Sequence, residues 1–256
     1  MKKMVLFLAA FVLILFAGGC ATEIIDVVSP ADISLAELEK RMNAASDPDG
    51  LFAASSSYVM RQEVKQEFFL DDDIVQMVEV KFEKPDKIAL ITFVDNEPSN
   101  IFCTDGKRGW IADYASRKIV LLDEKGLDRM QMLASLGRPG SGGYSAVFKD
   151  VQLVKCSNEL GNFYRLECRL ENQEYPIYFY VDMDDYLLRR VKMKVQIGEN
   201  DVFDYENRIM KYELREGVVI PVETQVHQLG DTQECKVLYY QLNPKFPAND
   251  FQPPVF

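Results

Sequence analysis

Hydrophobic and polar residues follow two different periods along the chain, and the helical period appears first at residues 34–45, SLAELEKRMNAA. Leu38 and Met42 fall on one face of this segment, which predicts an amphipathic helix. Ser34 followed three residues later by Glu37 is a capping-box pattern, so it marks the start of the helix.

A second helical pattern occupies residues 123–136, and it is followed by a glycine-rich loop over residues 137–145, GRPGSGGYS. No Lys-Ser/Thr pair follows these glycines, so the loop does not match a phosphate-binding motif. The apolar residues of the predicted helix lie along one side: Leu127, Met130, Leu133 and Leu136.

Most of the remaining chain alternates with a period of two, which predicts β-strands. In one example, Val78, Val80 and Phe82 alternate with charged residues, and Asp105-Gly106 is a strong turn signal between two short strands. Residues 243–256 are predicted as an extended, Pro-rich tail. The predicted strands lie near 78–83, 87–94, 99–104, 109–113, 117–123, 165–170, 175–181, 187–197, 203–214, 218–229 and 233–242.

The number of strands sets a geometric problem for the fold. A flat sheet of about ten strands spaced about 4.8 Å apart would be almost 50 Å wide. Two helices, each about 10 Å across, cannot cover one face of such a sheet. We therefore predict a mainly β (α+β) fold in which the sheet curls into a half-barrel or barrel, with helices on the concave side.

The N-terminus carries the pattern of an export signal. Lys2 and Lys3 precede an apolar run over residues 4–17, which is too short for a comfortable membrane span. The small residues Ala17, Gly18 and Gly19 directly before Cys20 resemble the lipobox of bacterial lipoproteins, in which the cysteine is diacylated and becomes the mature N-terminus. An ordinary signal peptide with an incidental cysteine is the alternative, and lipidation is favoured.

These signals predict the domain organisation. Residues 1–19 form a lipoprotein signal peptide, residues 20–33 a lipidated N-terminus and tether, and residues 34–256 one globular domain. An extended tether of this length spans at most about 40 Å, so the domain is expected to work close to one membrane of the cell envelope.

Charge narrows the classes of partner. The chain has a formal net charge of -11, and removing Lys2 and Lys3 makes the mature chain more acidic, at -13. This sign argues against binding to nucleic acid and against electrostatic docking on anionic lipid. Any contact with the membrane must therefore come from acyl chains or from an apolar surface.

Four further cysteines leave two interpretations open. Cys103, Cys156, Cys168 and Cys235 are either disulfide candidates, with three full pairings, or buried free thiols. The chain has no CxxC and no Cys-His cluster, so the sequence offers little support for a metal or redox site.

We also expect no enzyme. His227 is the one histidine, it lies on a predicted strand without a nucleophile motif, and it reads as structural. The acidic runs at residues 71–73 and 182–185 lie where hairpin turns are predicted and lack the pattern of an EF-hand loop. They are interpreted as solvated turn residues.

Several motifs together resemble the LolA- and LolB-like family of bacterial lipoprotein carriers and receptors. Residues 81–120 contain Lys84-Pro85 after a strand, then an apolar strand, then Asp105-Gly106 and Trp110. Near the end, Gly217 and Pro221 match the Gly-x-x-x-Pro hairpin of the family, and Phe251 precedes a closing Pro-Pro. The order of these motifs agrees across residues 34–256.

The resemblance implies a strongly curved antiparallel half-barrel of about eleven strands, with helices covering the concave face over an apolar cavity. It implies that acyl chains or lipoproteins bind there as cargo, with bound lipid or fatty acid in place of any other cofactor. Cys20 places the chain with the anchored, receptor-like members, and Ala21 favours the outer membrane, facing the periplasm. The alternative is a regulatory or scaffold lipoprotein that binds a protein partner with the same fold.

The resemblance also supplies candidates for the cavity or its lid. Carriers have an Arg where this chain has Lys84, and an aromatic residue where it has Ile88. In carriers, the resemblance implies, this arginine holds the lid through several directed hydrogen bonds. Lysine lacks the planar fork of donors that arginine offers, so this mechanism does not transfer directly to the present chain. The cavity or lid candidates are Lys84, Pro85, Ile88, Trp110, Leu127, Met130 and Leu133.

Overall fold

The fold is described from a computed structural model that covers residues 24–66, 74–124, 126–127, 143–171, 174–197, 201–247 and 249–256. These residues form two compact units. The first unit contains the described residues of 55–136 and 237–256, and the second contains those of 24–54 and 137–236.

Strands dominate both units. They are β1 (Val27–Pro30), β2 (Ser57–Gln66), β3 (Ile74–Glu83), β4 (Lys87–Val94), β5 (Glu97–Thr104), β6 (Gly109–Asp113), β7 (Lys118–Leu121), β8 (Asp150–Asn158), β9 (Gly161–Arg169), β10 (Ile177–Asp182), β11 (Leu188–Ile197), β12 (Asp201–Arg215), β13 (Val218–Gln228) and β14 (Asp231–Leu242). Three helices with both ends among the described residues accompany them: α1 (Leu35–Ser46), α2 (Leu51–Ala54) and α3 (Tyr144–Val147).

The strands hydrogen-bond in the order β1-β8-β9-β10-β11-β12-β13-β14-β2-β3-β4-β5-β6-β7, which leaves the sheet open. The described sheet has fourteen strands rather than the predicted eleven. The strands absent from the prediction are β1, β2 and β8. Strand β1 contains a proline and has no period, and β8 carries apolar residues on both faces, so neither shows the alternation that marks a half-buried strand. The predicted curvature and helix cover remain predictions.

In the first unit the strand register separates two buried faces. Ala89 lies opposite Cys103, and Cys103 lies opposite Trp110, so these side chains share one face. Phe82 lies opposite Ile88 on the other face. Both Trp110 and Ile88 are almost completely buried.

In the second unit, α1 begins as the sequence predicts. The Glu37 backbone N–H donates to Ser34 Oγ at 3.2 Å, which is the expected N-cap bond. The Glu37 carboxylate accepts from Arg41 Nε at 2.7 Å. Leu38 and Met42 are buried, and the helix contacts β13.

The short helix α3 lies in the second unit at the end of the glycine-rich segment that the sequence predicts as a loop. Its backbone N–H groups at Gly143 and Tyr144 donate to Glu39 of α1. Its rings pack on β10, where Tyr144 meets Phe179 edge to face with ring centroids 5.0 Å apart. These contacts bury Tyr144 and Phe148.

Several predictions fall wholly or partly outside the described residues. The signal peptide and Cys20 lie outside them, and so do Met130, Leu133 and the acidic run at 71–73. Of the predicted second helix, Glu124, Gly126 and Leu127 are helical, and the Leu127 N–H donates to the Asp123 carbonyl at 2.9 Å. No helix among the described residues is long and apolar enough to cross a membrane.

Candidate functional site

A cavity of about 460 Å³ lies in the first unit, between the β3–β6 region and the C-terminal tail. Pockets that bind small molecules or cofactors usually have volumes of about 300–1,000 Å³, and the volume of this cavity lies within that range. Its lining combines aromatic rings with charges of both signs: Glu83, Lys87, Asp105, Arg108, Trp110, Phe246, Pro247, Phe251, Gln252 and Pro253.

The tail that covers this cavity is fixed by charged and aromatic contacts. Lys81 Nζ lies 2.8 Å from an Asp250 carboxylate oxygen, and both side chains are mostly buried. The same ammonium lies 5.9 Å from the ring centroid of Phe246, and Lys87 Nζ lies 5.7 Å from that of Phe251. Because Phe251 also packs against Trp110 and Cys103, the predicted extended tail is part of the core of this unit.

Trp110 forms the floor of the cavity. Its side chain is almost fully buried, and its indole Nε1 has no hydrogen-bond partner among the described residues. Buried indole N–H groups usually find an acceptor, so this donor is an exception within the described core. Beside it, burial raises the pKa of the Cys103 thiol to about 12, which keeps the thiol protonated and unreactive.

Two ion pairs line the mouth of the cavity. Lys87 pairs with Glu83, and Arg108 Nη2 lies 3.5 Å from Asp105. Burial by itself raises the pKa of Asp105, but hydrogen bonds from the Arg108 and Lys107 backbone N–H groups outweigh it and lower the pKa. The Asp105 side chain is therefore held as the acceptor of a tight turn, as the Asp-Gly pattern predicts.

This arrangement suits binding rather than bond chemistry. The cavity offers apolar rings and two ion pairs, Lys87–Glu83 and Arg108–Asp105, as its lining. No cluster of three or more metal-binding side chains occurs among the described residues.

The structure places the sequence candidates in different locations. Trp110 lines the cavity, whereas Ile88 is buried on the opposite face of the same strands. Lys84 and Pro85 lie in the β3–β4 turn, joined by a cis peptide bond, and the Lys84 N–H donates to the Ser56 carbonyl at 2.9 Å. Leu127 is half-buried at the start of a helical segment. Of these residues Trp110 lines the cavity described above, and the assignment of the others to a cavity or lid stays a prediction.

All four described cysteines are free thiols, which corrects the disulfide alternative. Cys103 belongs to the first unit, and Cys156 and Cys168 belong to the second. Cys103, Cys156 and Cys168 are buried, and Cys235 is half-buried. They pack as small apolar side chains in the interior of the sheet.

A second polar site, which the sequence did not indicate, holds the N-terminal strand in the second unit. The Asp26 carboxylate accepts from Asn158 Nδ2 at 2.9 Å, Arg165 Nη1 at 2.9 Å and Tyr180 Oη at 2.7 Å. Burial alone raises the pKa of Asp26, but the hydrogen bonds from Asn158, Tyr180 and Arg165 lower it below its usual value. We call these four residues the Asp26 clamp.

The clamp corrects the predicted tether. Val27–Pro30 is a strand paired with β8, from Val27 opposite Ser157 to Pro30 opposite Val154. The segment predicted as a tether is therefore structured from at least Asp26 onward, because the Asp26 carboxylate accepts hydrogen bonds from residues far along the chain.

The remaining charged residues of the second unit have structural roles. Arg190, which is 4% exposed, pairs with Glu206 at 2.7 Å, and its guanidinium lies over the Tyr180 ring. His227 lies nearby, with Nδ1 3.0 Å from Thr232 Oγ1, and burial lowers its pKa. This geometry agrees with the structural role predicted for His227.

The acidic run at residues 182–185 also behaves as the turn that the sequence predicts. Asp182 accepts from the Asp184 N–H at 2.8 Å, and Asp185 accepts from the Leu187 N–H at 3.0 Å. Arg189 pairs with both carboxylates. The carboxylates of Asp182 and Asp185 therefore stabilise the turn and pair with Arg189.

Comparisons with known proteins were made at the levels of sequence and structure. No family model matches the chain, and no curated protein matches it. Solved structures do match. A LolA superfamily protein from Nitrosomonas europaea aligns with a TM-score of 0.54 at 8% identity, covering 86% of this chain and 98% of its own.

Two further structures align over similar lengths. A DUF1329-family protein from Desulfovibrio piger has a TM-score of 0.56 at 11% identity, covering 85% of this chain and 95% of its own. A structure described as an outer membrane lipoprotein-sorting protein domain, from Vibrio parahaemolyticus, has a TM-score of 0.54 at 11% identity, covering 84% and 95%. Because identities this low show the fold alone, we conclude that the chain has a LolA-like fold.

Proposed function

We propose that this protein is a membrane-anchored lipoprotein of the cell envelope that binds acyl chains or lipidated proteins, for transfer or delivery to the outer membrane. The observation that carries the proposal is the LolA-like fold, which a lipoprotein-sorting domain shares over most of the chain. In this proposal the cargo is held by burial of its methylenes, each contributing about 0.8 kcal/mol, and no covalent bond is made or broken.

The anchor is Cys20. Cleavage before it and acylation of its thiol would leave the folded domain a few residues from the bilayer. The acidic character of the chain supports this arrangement, since a net charge of -11 gives no electrostatic attraction to anionic lipid. Acyl chains supply the attachment that charge cannot.

Cargo binding is tested with the Cys20→Ser chain, purified without detergent. We expect native mass spectrometry to show co-purified lipid or fatty acid, and a fluorescent fatty acid to bind the delipidated protein. The matched control is the same chain unfolded in urea, which retains composition but loses the cavity. An empty folded protein that ignores acyl probes would rule out cargo binding.

Anchoring is tested separately in cells. The native protein is expected in the membrane fraction and to incorporate radioactive palmitate, whereas Cys20→Ser is expected to lose the label. Cys235→Ser is the control, because it removes a half-buried thiol and leaves Cys20 intact. Unacylated native protein in the soluble fraction would contradict the anchor.

The Trp110 cavity favours a second candidate function, a regulatory or scaffold lipoprotein that binds a protein partner. Its paired charges suit a polar peptide segment better than a bare acyl chain. A photo-crosslinker at Gln252, which lines the cavity, should then give a discrete protein adduct in cells. A crosslinker at Lys107, which is exposed and outside the lining, should not. Equal labelling from both positions would reject a partner at this cavity.

A further inference from the structure

Apolar side chains are exposed on both faces of the N-terminal edge strand of the second unit and beside it. Ile25 is 79% exposed, Val27 69% and Val28 49%. Leu160, in the β8–β9 turn, is also exposed, and it lies two residues beyond Asn158, whose amide donates to Asp26. We call these four apolar residues the β1 patch.

The β1 patch belongs to a fixed element rather than a loose terminus. The Asp26 clamp holds its centre, and the Asp26–Arg165 pair is mostly buried. On the far side, Asp32 accepts from Tyr164 Oη at 3.0 Å and pairs with Lys155 Nζ at 2.6 Å. The two described carboxylates that flank the strand are thus both paired with cations, so the patch itself presents apolar surface.

Chain length ties this patch to the acylated end. Only four residues separate Cys20 from Ile25, and the five steps between these two residues reach at most about 18 Å when fully extended. A bilayer has polar headgroup regions on both sides of a hydrocarbon core about 30 Å thick. A patch on so short a chain stays beside the surface that holds the acyl chains.

Strand pairing with a second copy is the competing use of such an edge. Strand β1 offers little for it, because it has four residues and ends in Pro30, which has no backbone N–H to donate. The exposed valines of β1, together with Ile25 just before it, fit a lipid interface, where apolar side chains insert among headgroups.

We propose that the β1 patch rests in the lipid interface beside the Cys20 anchor, so that the Asp26 clamp fixes the orientation of the second unit on the membrane. This inference rests on the acylation of Cys20 in the proposed function. The partner is the bilayer surface itself, contacted through apolar side chains and without attraction to anionic headgroups.

The test uses the mature acylated protein in phosphatidylcholine vesicles with brominated acyl chains. The single native tryptophan, Trp110, is 1% exposed and provides the baseline. The variant Val27→Trp places a second indole in the β1 patch. Its matched control is Leu214→Trp on β12 of the same unit, five strands from β1 in the sheet, because Leu214 is 67% exposed and Val27 69%.

We expect brominated lipid to quench the added emission of Val27→Trp and to leave that of Leu214→Trp unchanged. Mass spectrometry of the N-terminus accompanies the measurement. Acylated protein without quenching of Val27→Trp would overturn the β1 contact while leaving the anchor intact. Equal quenching of both variants, or concentration-dependent dimers in place of quenching, would also overturn it. Unacylated protein would overturn the anchor and this inference together, whereas acyl-probe binding tests the cargo site independently.

Discussion

The two edge strands of the sheet are similar in length and exposure but are held in different ways. Strands β1 and β7 have four residues each, all exposed. Strand β7 is the second arm of a hairpin, paired with β6 from Trp110 opposite Leu121 to Asp113 opposite Lys118. Strand β1 is fixed by Asp26 contacts to residues 132, 139 and 154 positions away.

The difference shows two ways of specifying a strand. A hairpin strand needs only a local turn, here closed by Asp113 accepting from the Ser116 N–H at 2.7 Å. A strand without a neighbour in sequence needs partners brought by the rest of the fold. Its stability then depends on a few buried polar contacts, and breaking them should have large effects.

The largest effect is expected from Asp26→Ala. This variant leaves the guanidinium of Arg165, which is 17% exposed, without its carboxylate. Breaking a buried ion pair from one side costs about 3–5 kcal/mol in the free energy of unfolding. Urea unfolding of the Cys20→Ser chain measures the loss, and hydrogen exchange at Val27–Ser29 should rise toward the unprotected rate.

The matched variant on the other edge is Asp113→Ala. It removes one turn hydrogen bond near the surface, so we expect a loss of only about 1 kcal/mol. Hydrogen exchange should rise in β7 and remain unchanged in β1. Equal losses for the two variants would contradict the contrast between the edges.

Acid is expected to release β1 with a smaller effect than the substitution, because protonated Asp26 still makes hydrogen bonds. The native pKa of Asp26 lies below its usual value of 3.8, since the hydrogen bonds from Asn158, Tyr180 and Arg165 outweigh burial. The unfolded chain therefore binds the proton first as pH falls, and the contribution is complete above pH 3.8 and lost below it.

Limited proteolysis between Ile25 and Ala31, followed from pH 6 to about pH 2, measures this release. Asp26→Asn is the control, because it removes this titrating group and should leave only the pH dependence of the other carboxylates, such as Asp32, whose pKa is also lowered by its hydrogen bond with Lys155. Wild-type cleavage with the same pH dependence as the variant would refute the role of Asp26.

A smaller effect than that of Asp26→Ala is expected from Tyr180→Phe, which removes one donor from Asp26 and keeps the ring beneath Arg190. A single hydrogen bond to a charged group contributes about 1.5–3 kcal/mol, and the two remaining donors to Asp26 should keep the loss near the lower end. Tyr178→Phe is the control on the same face, because Arg165 lies over the Tyr178 ring and no described contact with Asp26 involves it. A loss as large for Tyr178→Phe would mean that ring packing, rather than the Asp26 bond, matters.

Much of the fold could be predicted because its signals are local. The Ser34 cap starts α1, and the Asp105-Gly106 dipeptide turns the chain between β5 and β6. Strands with one apolar face, such as β3 and β11, alternate visibly. Strands β1, β2 and β8 escaped prediction because their partners, rather than their own patterns, make them strands.

The candidate site could be predicted only in part. Trp110 was identified from its place after the turn, but its face was not, since burial of both faces leaves no alternation to read. The register decides that Trp110 faces the tail and Ile88 faces away. The tail itself was predicted as extended, and only the Lys81–Asp250 pair shows that it closes a cavity.

The sequence by itself determined that the chain is mainly β, that an amphipathic helix begins at Ser34, and that the acids of residues 182–185 and His227 serve structure. Those conclusions depend on periods and turn chemistry within a few residues. Only the tertiary structure decided that residues 27–30 form a strand, that the described cysteines are free, and that a cavity lies beneath the tail. Each of these depends on contacts between side chains that are distant in sequence and adjacent in space. The burial of a side chain and the pairing of its charge follow from those contacts, so patterns within a few residues do not reveal them.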